Sequence, residues 1–187
     1  MPAIGMRNPK FAPFKGDEPS NALPKYDAAV SLGEAVRADT TPSFTDVKFY
    51  ADDKLSEQVA GFNNATLNME TSDITDDAAS VVYGCAVEDQ EIVDGSDDTP
   101  PLGGLTYVRV LMRKGVQSFQ GVYHPKVKAT LGNSSDQTKG ENITFSTTNT
   151  TFTVFAANDA KHTWRRRKTF ATEEEANAWC ASKLANA

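Results

Sequence analysis

Histidine and cysteine are scarce, with two of each among 187 residues. His124 and His162 belong to no HxxxH, HExxH or nucleophile-elbow pattern, so no catalytic imidazole is indicated. Cys85 and Cys180 stand far apart, with no CxxC and no set of four, which excludes a zinc-finger spacing or a disulfide framework. Both read as buried thiols. Glycine is not grouped for phosphate binding either, since Gly95, Gly103 and Gly104 are not framed by a strand and a P-loop lysine. Asp94, Asp97 and Asp98 lack the ligand register and terminal Glu of a calcium loop. Asp52 and Asp53 are adjacent and would diverge on a strand, unlike the facing carboxylates of a glycosidase. The expectation is a chain that is not an enzyme, with no catalytic residues, metal or cofactor.

Basic charge is also in deficit: 19 Lys and Arg against 25 Asp and Glu give a formal charge of −6. Gripping a phosphate backbone needs the opposite balance. No run approaches the ~20 apolar residues of a membrane span, and Met1 to Phe14 carries Pro2, Pro9 and Pro13 without an apolar signal region. Neither membrane insertion nor secretion is expected, so the sequons at Asn64, Asn133, Asn142 and Asn149 read as Asn/Thr-rich strand and turn chemistry.

What is present points to one domain, residues 1–187, large enough to bury roughly two-thirds of its unfolded surface. Residues 1–25 are rich in Pro, Gly and polar groups and read as an extended arm. Ala28 to Ala38 reads as a strand. Residues 39–62 read as a long polar connection, in which Val47 to Tyr50 could pair locally; connections beyond about 12–15 residues usually do something, which marks a contact loop. From Asn64 to Glu70 strict alternation puts Ala65, Leu67 and Met69 on one face and Asn64, Thr66, Asn68 and Glu70 on the other.

A short helix follows, capped by Thr75, stopped by Gly84 and apolar at Ile74, Ala78, Val81 and Val82. Residues 88–104 read as an exposed acidic loop. Leu105 to Arg113 and Val116 to Tyr123 alternate around Lys114-Gly115, a hairpin signal. Pro125 then implies an edge, a bend or a change of sheet. Asn142 to Thr148 and Thr151 to Ala156 alternate around Asn149-Thr150, and Thr163 to Phe170 makes a last strand. Residues 172–185 form a helix, with Thr172 and Glu175 as a capping box and three glutamates at its positive end. The fold class is α+β and mainly β: a two-sheet sandwich or partial barrel with a flanking helix and a C-terminal helix.

Arg165-Arg166-Arg167 would split on a strand, Arg165 and Arg167 taking one face and Arg166 that of Trp164. In an acidic chain, inter-subunit pairing to carboxylates is the first reading for Arg165 and Arg167, and for Arg109 and Arg113. Acidic segments at 52–53, 73–77 and 88–98 are natural partners.

Several pieces in order resemble one family: the Gly5 segment, GEAVRADTTPSF at Gly33 to Phe44, YADD at Tyr50 to Asp53, YVRVLMRKGVQSF at Tyr107 to Phe119, and KTFATEEEANAW at Lys168 to Trp179. Together they are similar to the major tail protein, or tail-tube protein, of long non-contractile (siphovirus) bacteriophage tails. The resemblance implies a tail-tube fold, and a structural virion protein assembled in the bacterial cytoplasm. Homohexameric rings would stack into a tube that conducts double-stranded DNA during ejection without specific binding. Tail tip or initiator, tape-measure and terminator proteins would be its partners. Many related proteins carry an extra immunoglobulin-like domain, which is not expected here after Leu184. On this reading Tyr50, Asp52 and Asp53 belong to an inter-ring loop, and Thr66, Asn68 and Glu70 face the lumen. A secretion-system-type tube protein is one alternative. A monomeric carbohydrate-binding β-sandwich, suggested by the Asn/Thr-rich strands and scattered aromatics, is another.

Overall fold

The computed structural model describes residues 2–51, 54–88, 91–130 and 147–185, with the backbone alone described for 47–51 and 54–59. Ten strands and two helices occur among the described residues. In order they are β1 (Ala3–Pro13), β2 (Val30–Ser31), β3 (Ala35–Ala51), β4 (Lys54–Thr71), α1 (Asp76–Tyr83), β5 (Ala86–Glu88) and β6 (Glu91–Val93). β7 (Leu102–Arg113), β8 (Val116–Thr130), β9 (Thr148–Val154), β10 (Arg166–Phe170) and α2 (Glu173–Leu184) complete the chain. The chain is mainly β, an α+β arrangement in which every pairing between named strands is antiparallel.

The hairpin of β7 and β8 forms the centre. Lys114 (φ 50°) and Gly115 (φ 80°) both take positive φ, the two-residue turn whose twist suits the flanking strands. The main sheet runs β2-β1-β7-β8-β9-β4-β3, with β10 also on β8. β8 therefore serves two partners along one edge: Phe119 to Tyr123 pairs with β10, and Val127 to Thr130 with β9. Between these stretches β8 gains one residue on β7, since Leu105 faces His124 but Gly103 faces Val127. Pro125, which has no N–H to give, occupies this bulge; β8 is interior and stays in one sheet, so Pro125 marks a local irregularity, not an edge or a change of sheet.

The sheet curls around one core. Phe11, Leu67, Met69, Leu105, Tyr107, Val122, Val127, Phe152 and Val154 meet there, and α1 closes it with Val82 and Tyr83. Thr75 caps α1 by accepting from the Ala78 N–H, and Gly84 ends it at φ 75°. Tyr83 Oη is 2.7 Å from Thr150 Oγ1, which ties the helix to β9. The opposite face of β7 and β8 is covered by α2, where Ala176 and Cys180 pack on Val108, and Leu184 on Tyr26 and Tyr123. Thr172 accepts from Glu175 N–H at 3.3 Å, as the capping pattern predicts.

Four expectations change. Residues 3–13 are not an arm but a strand between β2 and β7. Asn8 (φ 51°) and Pro9 fall within the register shift between Arg7 and Lys10, and Pro13 ends the strand opposite Gly103. Residues 39–62 are not a loop: β3 and β4 pair from Ala35/Thr71 to Ala51/Lys54. Thr41 to Asp46 are exposed on both faces, so nothing in the sequence alternates to announce the strand. Asn149-Thr150 is no turn but the interior of β9, while the expected strand from Asn142 lies largely outside the described residues. The acidic stretch from 88 to 104 contains a small hairpin, β5 with β6, and its last three residues enter β7, where Gly103 and Gly104 are buried.

Those two glycines allow close packing. A Cβ on Gly103 would meet the Phe11 ring and come within 2.5 Å of the Ala12 carbonyl oxygen. Gly103→Ala is expected to lower stability by about 1–3 kcal/mol, because backbone cannot yield as a flexible side chain can. Urea unfolding monitored by tryptophan fluorescence checks it.

Candidate assembly surfaces

Three surfaces hold the residues singled out by the sequence. The first is the outer face of β4. Thr66 and Asn68 are exposed and Glu70 half-buried, while Ala65, Leu67 and Met69 are fully buried behind them. Register sets Thr41, Asp39 and Arg37 of β3 on one side of them, and Thr153, Thr151 and Asn149 of β9 on the other. The face is knitted by its own polar groups: Thr151 Oγ1 donates to Asn68 Oδ1 at 3.0 Å, and Thr147 Oγ1 to Glu70 Oε1 at 2.6 Å. Arg37 pairs with Asp39 at 2.6 Å. The result is a broad wall of hydroxyls and amides with little unpaired charge.

The second surface is the outer part of the β3–β4 hairpin. Tyr50 lies in β3 opposite Leu55 by register, while Asp52 and Asp53 lie outside the described residues. Aromatic contacts clamp the base of this extension to the body. Phe44, 57% exposed, sits edge-on to Phe62, which stacks on Trp164 with centroids 4.7 Å apart. Trp164 in turn neighbours His124, and His124 stacks near Tyr107. His124 and Trp164 stand out separately in the sequence but the ladder does not, because its members are far apart in the chain and only the strand pairing brings them together.

The third surface is cationic. Arg109 and Arg113 share one face of β7, and Arg167 joins that face through its pairing partner Val122, whose side chain points into the same core as Tyr107. Arg165, just before β10, lies over the Trp164 ring at 4.4 Å. Arg109 donates to Tyr107 Oη at 3.1 Å and lies 5.5 Å over its ring. Trp164 therefore keeps company with Arg165, not Arg166 as strict alternation implied, because β10 starts only at Arg166. Arg166 turns to the other face and pairs with Asp159 at 3.6 Å. Among the described residues no carboxylate lies within ion-pair distance of Arg109, Arg113, Arg165 or Arg167. Burial lowers the Arg165 pKa from its ordinary value, and Arg167 and Arg109 add to the effect.

His124 sits beneath this face, fully buried. Its Nδ1–H donates to the Trp164 carbonyl at 3.1 Å, and Nε2 has no partner among the described residues. Burial pushes the imidazole down to about 3, with Arg165 and Arg109 adding to it and the Trp164 hydrogen bond opposing it. His124 is thus a neutral core residue.

Cys85 departs from expectation, being half-buried instead of buried; Cys180 is buried. The Cys85 thiol donates to Asp94 Oδ1 at 3.0 Å, and one atom each of Cys85, Asp94 and Asp98 lie within 4.8 Å of one another. Desolvation and the two carboxylates push this thiol up to about 11. At neutral pH it is a protonated donor that closes the base of the β5–β6 hairpin, helped by Gly95 N–H donating to Asp98 at 2.6 Å. The hairpin is not read from the sequence, although Ala86-Val87-Glu88 and Glu91-Ile92-Val93 mirror each other around two central residues.

Comparison with protein-family models and with curated proteins returns no match to this chain. Among the described residues no helix is long and apolar enough to cross a membrane.

His124 gives a pH signature. Its folded pKa lies below its unfolded value of about 6.5, so the unfolded chain takes up a proton that the folded chain refuses. Stability is therefore lost as pH falls from about 6 towards 4, by about 1.4 kcal/mol per pH unit. His124→Phe is expected to flatten that part of the acid limb by about one proton, measured by urea unfolding across pH; an unchanged slope overturns the assignment.

Proposed function

We propose that the chain is a tail-tube subunit: a structural virion protein that polymerises as stacked hexameric rings, through which double-stranded DNA passes from capsid to host. The observation that carries this reading is β3, a strand of 17 residues that has β4 on one side and no second partner strand among the described residues. A long open edge is an aggregation hazard unless another chain takes it up. Ring closure by a repeated heterologous contact would do so for every copy at once. The curled sheet then acts as the two-layer sandwich or partial barrel of a tail-tube fold, with α1 and α2 covering its flanks.

On this reading the Thr66, Asn68 and Glu70 wall lines the lumen. Its neutral hydroxyls and amides offer a sliding duplex no row of cations to bind, and six copies at −6 each repel a phosphate backbone. The β3–β4 extension serves as the inter-ring element, and Tyr50, Asp52 and Asp53 are its proposed contact residues. Tail tip, tape-measure and terminator proteins would set where the tube starts, how long it grows and where it stops.

Negative-stain electron microscopy of the purified protein across concentration, with and without a tip complex, is the first test. Hollow tubes or six-fold rings are expected; persistent monomers under all conditions shift the reading to a binding module. Glu70→Lys is expected to leave tubes intact and slow DNA ejection from assembled virions, so normal ejection sinks the lumen assignment. Deleting residues 50–53 is expected to leave the subunit folded and shorten or abolish tubes.

A further inference from the structure

The β5–β6 hairpin is poorly accounted for by its own contacts. It forms a two-stranded sheet separate from the main one, and isolated two-stranded hairpins are marginal in water. Glu88 and Glu91 stand directly opposite each other, a like-charge cross-strand pair that disfavours the hairpin. By strand parity Ala86 and Val93 share the face of these glutamates, and Val93 is 42% exposed. Val87, on the other face, is 53% exposed. The base is nonetheless stitched in place by Cys85 with Asp94 and by Gly95 with Asp98.

The arginine face has the converse deficit. Arg109, Arg165 and Arg167 converge above Tyr107 and Trp164, and no carboxylate of the described residues reaches them. Exposed acids elsewhere include some with local roles: Asp76 and Asp77 lie in the first turn of α1, and Glu174 and Glu175 in that of α2, where the helix dipole favours them. Glu88 and Glu91 have no such compensation.

We propose that the β5–β6 hairpin of one copy docks on the arginine face of the next, Glu88 and Glu91 pairing with Arg165 and Arg167 as the lateral contact between subunits. The spacing suits it. Opposed residues of a hairpin place their side chains roughly 5 Å apart, and Arg165 and Arg167 lie near enough for each other's charge to be felt. Planar guanidinium forks hold carboxylates in pairs, and Val93 would lie against the Trp164 and Arg165 stack. The two surfaces differ, so the contact is head-to-tail and repeats until it closes. This assignment rests on the tube reading, which supplies a second copy at every subunit's side.

The test is charge reversal and rescue in the full-length protein, read by sedimentation velocity and negative-stain microscopy. Glu88→Lys with Glu91→Lys, and separately Arg165→Glu with Arg167→Glu, are each expected to raise the concentration needed for assembly at least tenfold. All four changes together are expected to restore it. Should the Arg165 change unfold the chain by circular dichroism, Arg167→Glu set against Glu88→Lys carries the same test. Reversals that leave assembly at the wild-type concentration, or a combination that fails to rescue, overturn this contact and leave the tube reading standing. A wild-type protein that never assembles overturns both. A 30-base-pair duplex that binds wild type, is lost on arginine reversal and ignores glutamate reversal assigns the face to nucleic acid and also overturns the proposal.

Discussion

The one-residue bulge at Pro125 in β8 is the constraint on which the rest of the fold depends. Side chains alternate across a strand, so a single inserted residue exchanges the two faces. Before it, Val122 and His124 point into the core; after it, Val127 and Ala129 do. Without the extra residue the second pair would turn outward. The same position hands β8 from β10 to β9, which lets one strand support both the α2 layer and the wall carrying Thr66, Asn68 and Glu70. Neighbours hold the bulge from several sides. Tyr26 Oη donates to the Pro125 carbonyl at 2.7 Å, the Lys126 carbonyl accepts from Phe155 N–H at 2.9 Å, and Lys126 Nζ pairs with Glu18 at 2.5 Å.

Charge is distributed in keeping with that architecture. Three cations pair with carboxylates distant in sequence or across a turn: Lys126 with Glu18, Arg166 with Asp159, and Arg7 with Glu173. Asp159 illustrates the cost and its offset. Burial alone would raise its pKa, but two hydrogen bonds from Thr163 and the charge of Arg166 bring it below the ordinary value. The arginines above Tyr107 and Trp164 receive no such treatment. Desolvation and the neighbouring charges of Arg167 and Arg109 oppose the charge of Arg165.

Stability is uneven for a related reason. The core around Tyr107 and Phe152 is buried on all sides, whereas the outer β3–β4 extension exposes both faces from Thr41 to Asp46. The stack of Phe44, Phe62 and Trp164 anchors its base. An element with few buried contacts and many exposed backbone hydrogen bonds lies at the low end of local stability.

The sequence by itself determined those elements whose signals are local. The Lys114-Gly115 turn, the buried set Ala65, Leu67 and Met69, and the Thr75 and Thr172 caps all follow from neighbours within a few residues. Pro125 announced an interruption as well, though not which strands met there. What only the tertiary structure decided is long-range pairing: β1 has Pro9, Pro13 and Asn8 and reads as an arm until β7 offers it a ladder. β3 reads as loop because solvent on both faces removes the period-2 pattern that burial on one face imposes. The candidate surfaces divide along the same line. Alternation alone put Thr66, Asn68 and Glu70 together, whereas uniting Arg109 with Arg165 and Arg167 required two strands distant in sequence to meet across β8.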